Sequence, residues 1–284
     1  MHTMKNYLLS ILFIAISTSA FSQPANYGAC IKHKEQIYGV NETQTYPMHS
    51  VMKFPQALLV ADYLNKTRIG LDQKVMVKKE DLLQDTWSPM LKLFENERMF
   101  SYAELLALSL QQSDNNACDI LFRQCGAPSE VECFLHELGF GDIHIRKTER
   151  QMHECPATSE ENNCTPLAII HLLEWFYQHK EDNEPLRYVW DLMADCKTGE
   201  ARIPAALPDG VIIVHKTGTG FPINGEASGL NDVGIVILPD GNHFPIAVFT
   251  IAPTSEAMIA DIAKKLLRTV TEESSKDSSR QTKP

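Results

Sequence analysis

The chain has 284 residues, 26 of them basic and 36 acidic, and its formal charge of −10 argues against nucleic acid or an anionic membrane surface as a partner. With 44% hydrophobic residues and no repeat period, it has material for one large core or two packed lobes. Its seven cysteines include no C-x-x-C pair, and no two of its ten histidines stand two or four apart beside an acid. A zinc hydrolase is therefore disfavoured, and neither metal nor cofactor is expected.

Residues 1–22 read as a signal peptide. Lys5 precedes an apolar run from Tyr7 to Ala20, and Ala20-Phe21-Ser22 offers small residues for cleavage. The run is shorter than the ~20 apolar residues that span a bilayer. No second apolar run follows, so a periplasmic or secreted monomer, free of the membrane after cleavage, is expected.

Tyr27 to Glu42 reads as a β-hairpin turning at His33-Lys34-Glu35. From Met48 the texture is helical. Ser50 and Lys53, three apart, share one face at the start of an apolar helix carrying Phe54, Ala57, Leu58, Val60 and Ala61. Pro55 sits early in that helix and removes a backbone bond to Val51, at up to ~3 kcal/mol in a helix interior and less near the start. Ser101-x-x-Glu104 caps a helix that delivers the chain to Ser113-Asp114-Asn115, and Ser129-x-x-Glu132 reads as a second capping box. Thr165-Pro166 opens an amphipathic helix, and another lies near Leu186–Ala194.

After about residue 210 the period becomes that of strands: Val211 to Lys216, Gly234 to Leu238, and Phe244 to Ile251 across a Pro239-Asp-Gly-Asn242 turn. A last helix from Glu256 precedes a polar tail, 274–284, expected to be disordered. The fold class is α+β. One antiparallel sheet is built from both chain ends (23–47 and 201–273, with the C-terminal helix), and a helical lobe, 48–200, is inserted into it.

Four blocks carry chemistry in order: Ser50-Val-Met-Lys53, Ser113-Asp-Asn115, Glu149 in Thr-Glu-Arg-Gln-Met-His153, and Lys216-Thr217-Gly218. A serine hydroxyl needs a neighbouring base to become a nucleophile, and a lysine in a dry pocket can serve. Taken singly, each block has a bland reading. Ser113 could be only a helix N-cap, Lys216-Thr217-Gly218 only a strand end, and His215 a packed core histidine. Together and in order they resemble the class A serine β-lactamases, within the wider superfamily of penicillin-binding proteins.

The resemblance covers nearly the whole chain after residue 22 and implies a β-lactamase/transpeptidase-like fold. It implies that Ser50 is acylated, that Lys53 is its amine partner and that Ser113 relays a proton to the departing lactam nitrogen. Asn115 would hold the substrate's side-chain amide, Lys216 would attract its carboxylate and Thr217 would hydrogen-bond it, with Gly218 and Thr219 also among the substrate-binding residues. The backbone N–H groups of Ser50 and Thr219 would form the oxyanion hole. Glu149 would activate the deacylating water, with His153 beside it in a Gln-Met-His context similar to an extended-spectrum subgroup. Trp87, in Asp85-Thr-Trp-Ser-Pro, would pack on substrate at the cleft rim, its plainer alternative being a core tryptophan.

Family members carry an N-terminal helix over the sheet, for which only about four residues remain between residue 22 and the first strand. Exposure of the apolar face of the last helix and of part of the sheet is therefore expected, at ~25 cal/mol per Å². Cys118 and Cys125, seven apart on one helix, stand too far apart to bridge, whereas Cys155 and Cys164 could close the loop after Glu149. The expected function is an exported β-lactam hydrolase that accepts cephalosporins. Its rivals are a DD-peptidase-like enzyme, a penicillin sensor that stays acylated, and a degenerate homologue of poor activity.

Overall fold

In the computed structural model, which describes residues 26–94, 96–251 and 254–281, the elements follow in this order. The first hairpin is β1 (Tyr27–His33) and β2 (Gln36–Val40), followed by β3 (Tyr46–Pro47), a 3₁₀ turn over His49–Met52 and α1 (Lys53–Thr67). Next come β4 (Lys74–Lys78), β5 (Glu97–Ser101), α2 (Tyr102–Gln111), α3 (Asn115–Cys125) and α4 (Pro128–Glu137). A loop region holds β6 (Ile143–His144), α5 (Glu149–Glu154) and β7 (Asn163–Cys164) and leads to α6 (Pro166–His179) and α7 (Glu184–Ala194). The chain closes with β8 (Ile212–Thr219), β9 (Pro222–Ile223), β10 (Glu226–Ala227), β11 (Leu230–Ile237), β12 (His243–Thr250) and α8 (Glu256–Gln281). The proposed signal segment and residues 282–284 lie outside the described residues.

Both chain ends contribute to one five-stranded antiparallel sheet of order β2-β1-β12-β11-β8, in which Ala29 faces Val248 and Lys216 faces Val233. Ala29, Cys30 and Ile31 are fully buried because apolar layers cover both faces of β1. On one face α6 packs against β1, β11 and β12. On the other, Ile259, Ile262, Ala263, Leu266 and Val270 of α8 seal Ile31, Val236, Ile246 and Val248. No helix precedes β1 among the described residues, and the strip of sheet under α8 is sealed by α8 itself. The helix also runs to Gln281, past Ser274, where the sequence suggests disorder. Between Glu256 and Gln281 there is neither glycine nor proline to stop it.

α1 is the hub of the helical region, with Phe54, Ala57, Leu58, Val60, Ala61 and Leu64 buried against α2, α3, α4 and α7. Pro55 sits where the sequence places it, near the helix start. It is the third residue of α1, where a backbone donor has no intrahelical partner, and the Val51 carbonyl accepts from the Lys53 N–H instead. The Ser101–Glu104 capping box forms as expected, with bonds of 3.1 and 2.8 Å. The second box does not form on Ser129. Pro128 takes the first helical position, and Glu130 closes the end by accepting from the Ala127 N–H at 2.6 Å.

The Cys155–Cys164 bridge is absent, and all seven cysteines are free thiols. Cys155 is exposed at the end of α5, while Cys164 is buried in β7. The loop is closed instead by backbone pairing of β6 with β7 and by Asn162. Its Oδ1 accepts from the N–H groups of Arg146 and Lys147 (2.8 and 2.9 Å), and its Nδ2 donates to the Lys147 carbonyl. No helix among the described residues is long and apolar enough to cross a membrane.

Candidate active site

Three of the four blocks converge on one ammonium group. Lys53, fully buried at the start of α1, donates through Nζ to Ser50 Oγ (2.8 Å), Asn115 Oδ1 (2.8 Å) and Glu149 Oε1 (2.5 Å), with the Ser113 carbonyl at 3.3 Å. An ammonium has three donors, so the first three acceptors satisfy it. Ser50 is held in the 3₁₀ turn that runs into α1, and this turn brings its hydroxyl back over the Lys53 amine.

Ser113 is not the N-cap of the helix that follows. Asp114 is: its buried carboxylate accepts from Ala117 N–H (2.9 Å), Met90 N–H (2.6 Å) and Ser88 Oγ (2.8 Å). Burial pushes the Asp114 carboxyl up, against the pull of those donors. Ser113 itself sits in the left-handed region (φ 58°), which turns its hydroxyl toward Lys216 Nζ at 3.1 Å. Asn115 Nδ2 is tied to Thr86 Oγ1 at 2.8 Å, which fixes the amide so that its oxygen faces Lys53.

Glu149 is buried as the first residue of α5, whose N-cap Thr148 forms a capping box with Gln151. The backbone there is anchored to α3, because Asp119 accepts from the N–H groups of Glu149 (2.8 Å) and Arg150 (2.9 Å). Burial, with the Glu149 charge adding to it, raises the Asp119 carboxyl to about 6.

The strand wall is β8. Lys216 is fully buried and donates to Ser113 Oγ and to the Thr217 carbonyl (2.9 Å). Burial pushes it down to about 7; Cys196 and Asp232 oppose that, while Lys53 and Arg202 add to it. Gly218 must lack a side chain, since a Cβ there would stand 2.5 Å from the Met48 carbonyl oxygen. Thr217 Oγ1 bonds Thr198 Oγ1 at 2.6 Å, and Thr219 Oγ1 accepts from Arg202 Nη2 at 2.8 Å. Behind the strand, His215 Nδ1 meets Asp232 Oδ1 at 2.8 Å. Burial would lower that imidazole, but the Asp232 charge outweighs it and raises His215 to about 10. Burial likewise pushes the Cys196 thiol up, yet hydrogen bonding and charge from His215 hold it at about 7.

A cleft of about 800 Å³ opens between the helices and β8, in the size range of a small-molecule site; Lys53, Lys216 and Gly218 stand behind its wall and do not line it. Ser50, Ser113, Asn115, Glu149, His153, Thr217, Thr219 and Trp87 all border it. Trp87 is 63% exposed at the rim, its indole N–H held by the Gln112 carbonyl, so it is not a core tryptophan. His215 is buried as expected, but paired. Several cleft residues carry no motif in the sequence. Arg202 donates to the carbonyls of Gly218 and Asn231 and to Glu256. His49, also with positive φ, has an unpartnered Nδ1 and is lowered to about 4 by burial and by Arg202. Asp119 and Asn162 brace the Glu149 loop. A serine bonded to a buried amine–carboxylate pair, opposite a second lysine, can form and resolve an ester.

Comparison with known proteins agrees with this chemistry. The model of a family described as "Beta-lactamase enzyme family" matches residues 15–270. The β-lactamase VEB-1 of Pseudomonas aeruginosa is 36% identical over 263 residues, 89% of this chain and 88% of its own. The extended-spectrum β-lactamase PER-1 of Pseudomonas aeruginosa is 32% identical over 232 residues, covering 79% and 75%. The crystal structure of the TLA-3 extended-spectrum β-lactamase superposes with a TM-score of 0.82 at 36% identity, covering 87% of this chain and 94% of that one.

Proposed function

The chain belongs to the class A β-lactamase family, and from that premise we propose that it is an exported hydrolase that opens β-lactams through an ester on Ser50. The observation that carries the reading is the Lys53 ammonium, bonded at once to Ser50, Asn115 and Glu149. In the first step Ser50 Oγ attacks the lactam carbonyl carbon and its proton passes to the Lys53–Glu149 pair. The N–H groups of Ser50 and Thr219 receive the developing oxyanion, a contribution of ~2.7–4 kcal/mol per donor in comparable enzymes. The ring C–N bond then breaks, and Ser113, hydrogen-bonded to Lys216, gives the nitrogen a proton; the Lys53–Glu149 pair passes the proton taken from Ser50 on to Ser113, which leaves Glu149 ionised for the second step. In the second step Glu149 takes a proton from water, the hydroxide attacks the ester carbonyl, and Ser50 leaves with a ring-opened acid as product.

The cleft supports the placement of substrate. Thr217, Thr219 and the Arg202 guanidinium line one end for a carboxylate, with the buried Lys216 ammonium behind Ser113 supplying further positive charge; Asn115, Trp87 and His153 border the end where a side-chain amide would lie. The curated relative PER-1 and the TLA-3 structure bear the words extended-spectrum in their names. Cephalosporins are accordingly expected to turn over at least as well as penicillins, and a hundredfold preference for penicillins in kcat/KM would contradict this. Intact-mass spectra after incubation with a penicillin should show a covalent adduct that Ser50→Ala lacks. An adduct that persists in Ser50→Ala overturns the assignment. Wild type that stalls after one turnover moves the reading to the penicillin-binding sensor. For export, the secreted protein should begin near Gln23.

A further inference from the structure

We propose that Glu132, His136 and His144 form a site for a borderline divalent transition-metal ion, zinc above all, which ties α4 to the neck of the loop carrying Glu149. Glu132 and His136 stand one helical turn apart on α4, and His144 lies on β6, so no sequence spacing announces them. Glu132 Oε1 is 2.6 Å from His144 Nδ1 and 3.9 Å from His136 Nε2, and the three ligand atoms all lie within 4.8 Å of one another. Bonds of 2.0–2.1 Å at tetrahedral angles place ligand atoms about 3.3–3.4 Å apart. The observed spacings fall on both sides of that value, and rotation of the side-chain ends can reach it without moving the backbone. Two imidazoles and one carboxylate are a donor set that suits zinc, with water as fourth ligand.

The three residues differ in exposure in a way that suits a built site. Glu132 is largely buried and held in place, while the His136 ring is the most open and can close over an ion. One group competes for the position. Arg146 Nη2 lies 3.5 Å from Glu132 Oε1 and 3.3 Å from His144 Nδ1, on a half-exposed side chain that can swing into solvent. The ion would replace both that guanidinium and the proton shared by Glu132 and His144. Because His144 pairs with Asn163 across the β6–β7 ladder, an ion here clamps the base from which residues 145–162 emerge.

The experiment is calorimetric titration of the purified full chain with zinc chloride, beside thermal unfolding. It is run in a Cys133→Ser background, so that this exposed thiol next to Glu132 supplies no signal. One saturable equivalent is expected, with Tm raised by roughly 5–10 °C at a hundredfold excess over Kd. Amide exchange across 145–162 should slow. His136→Ala, whose ring is the most exposed and so least needed for folding, should weaken binding at least tenfold, and His136→Ala/His144→Ala should abolish it. Arg146→Ala should bind more tightly than the parent. Absence of saturable binding overturns the proposal, as does undiminished binding in the folded His136→Ala variant. Arg146→Ala binding no tighter than the parent does so too. None of these readouts involves hydrolysis, so the outcome stands apart from that of the Ser50 assignment.

Discussion

Lys53 on the helical wall of the cleft and Lys216 on the strand wall are both fully buried, but only Lys53 is hydrogen-bonded to a carboxylate. Glu149 compensates the Lys53 charge within the fold. Lys216 has a hydroxyl and a carbonyl for partners, and burial drives it down to about 7. A buried cation bonded only to neutral groups is stabilised by any anion that reaches it. The proposed mechanism uses this difference: it gives internal proton transfer to one wall and attraction of a carboxylate-bearing substrate to the other.

The largest effect should come from breaking the compensated side. Glu149→Ala is expected to acylate and then stall, with deacylation slowed ~10²–10⁴-fold. Stopped-flow absorbance with a chromogenic cephalosporin, paired with mass spectrometry of the quenched enzyme, reads both steps. Deacylation at the wild-type rate would remove Glu149 from the role.

On the strand wall, Lys216→Ala should lower kcat/KM for carboxylate-bearing β-lactams by roughly 10- to 150-fold, the loss of one charge-assisted contact worth ~1.5–3 kcal/mol. The methyl ester of the same substrate should be far less affected. Equal losses on acid and ester would mean that Lys216 does not bind the carboxylate.

Stability sharpens the contrast from the side of the loop. Asp119→Ala removes the acceptors of two backbone N–H groups under Glu149 and should cost about 1–3 kcal/mol for each donor left unsatisfied. Calorimetric unfolding checks this, and an unchanged Tm would show that water satisfies both donors.

The smallest effect concerns pH. Lys216 is cationic below about 7 and neutral above it, so kcat/KM for carboxylate substrates should decline as pH rises through 7. Cys196 holds the Lys216 charge up, so Cys196→Ser should move that limb to lower pH. A shift the other way would exclude the thiolate as its partner. The His215–Asp232 pair acts on the fold in a separate range. With His215 raised to about 10, its stabilising contribution is complete below the usual 6.5 and is lost as pH rises through 10.

The site residues were read from the order of four separate blocks and the family that order resembles; only within a block does nearness in sequence bring side chains together. Ser50 and Lys53 meet through one turn of backbone, and Thr217 and Thr219 reach the cleft from alternate positions on one strand. Helix starts were readable where the capping side chain was the local signal, as at Ser101 and Thr165. Pro128 displaced Ser129 because a ring with fixed φ suits the first helical position better than the hydroxyl of the next residue suits the cap. The Cys155–Cys164 pairing failed for a different reason. Flanking a loop says nothing about direction, and Cys155 is exposed while Cys164 is buried within the β3–β7–β6 ladder.

By itself, then, the sequence determined the order of the four blocks, the antiparallel sheet from both chain ends and the acid that follows Ser113-Asp-Asn115. Those depend on local propensity and on side chains within a turn of each other. Only the tertiary structure decided that Glu149 shares the Lys53 ammonium with Ser50 across 96 residues of chain. It alone placed Arg202 under the β8–β11 carbonyls and His144 against Glu132. Those meetings depend on how α4, β6 and the residues after α7 dock on the core. Burial and long-range hydrogen bonding fix that docking, and neither leaves a period or a spacing in the chain.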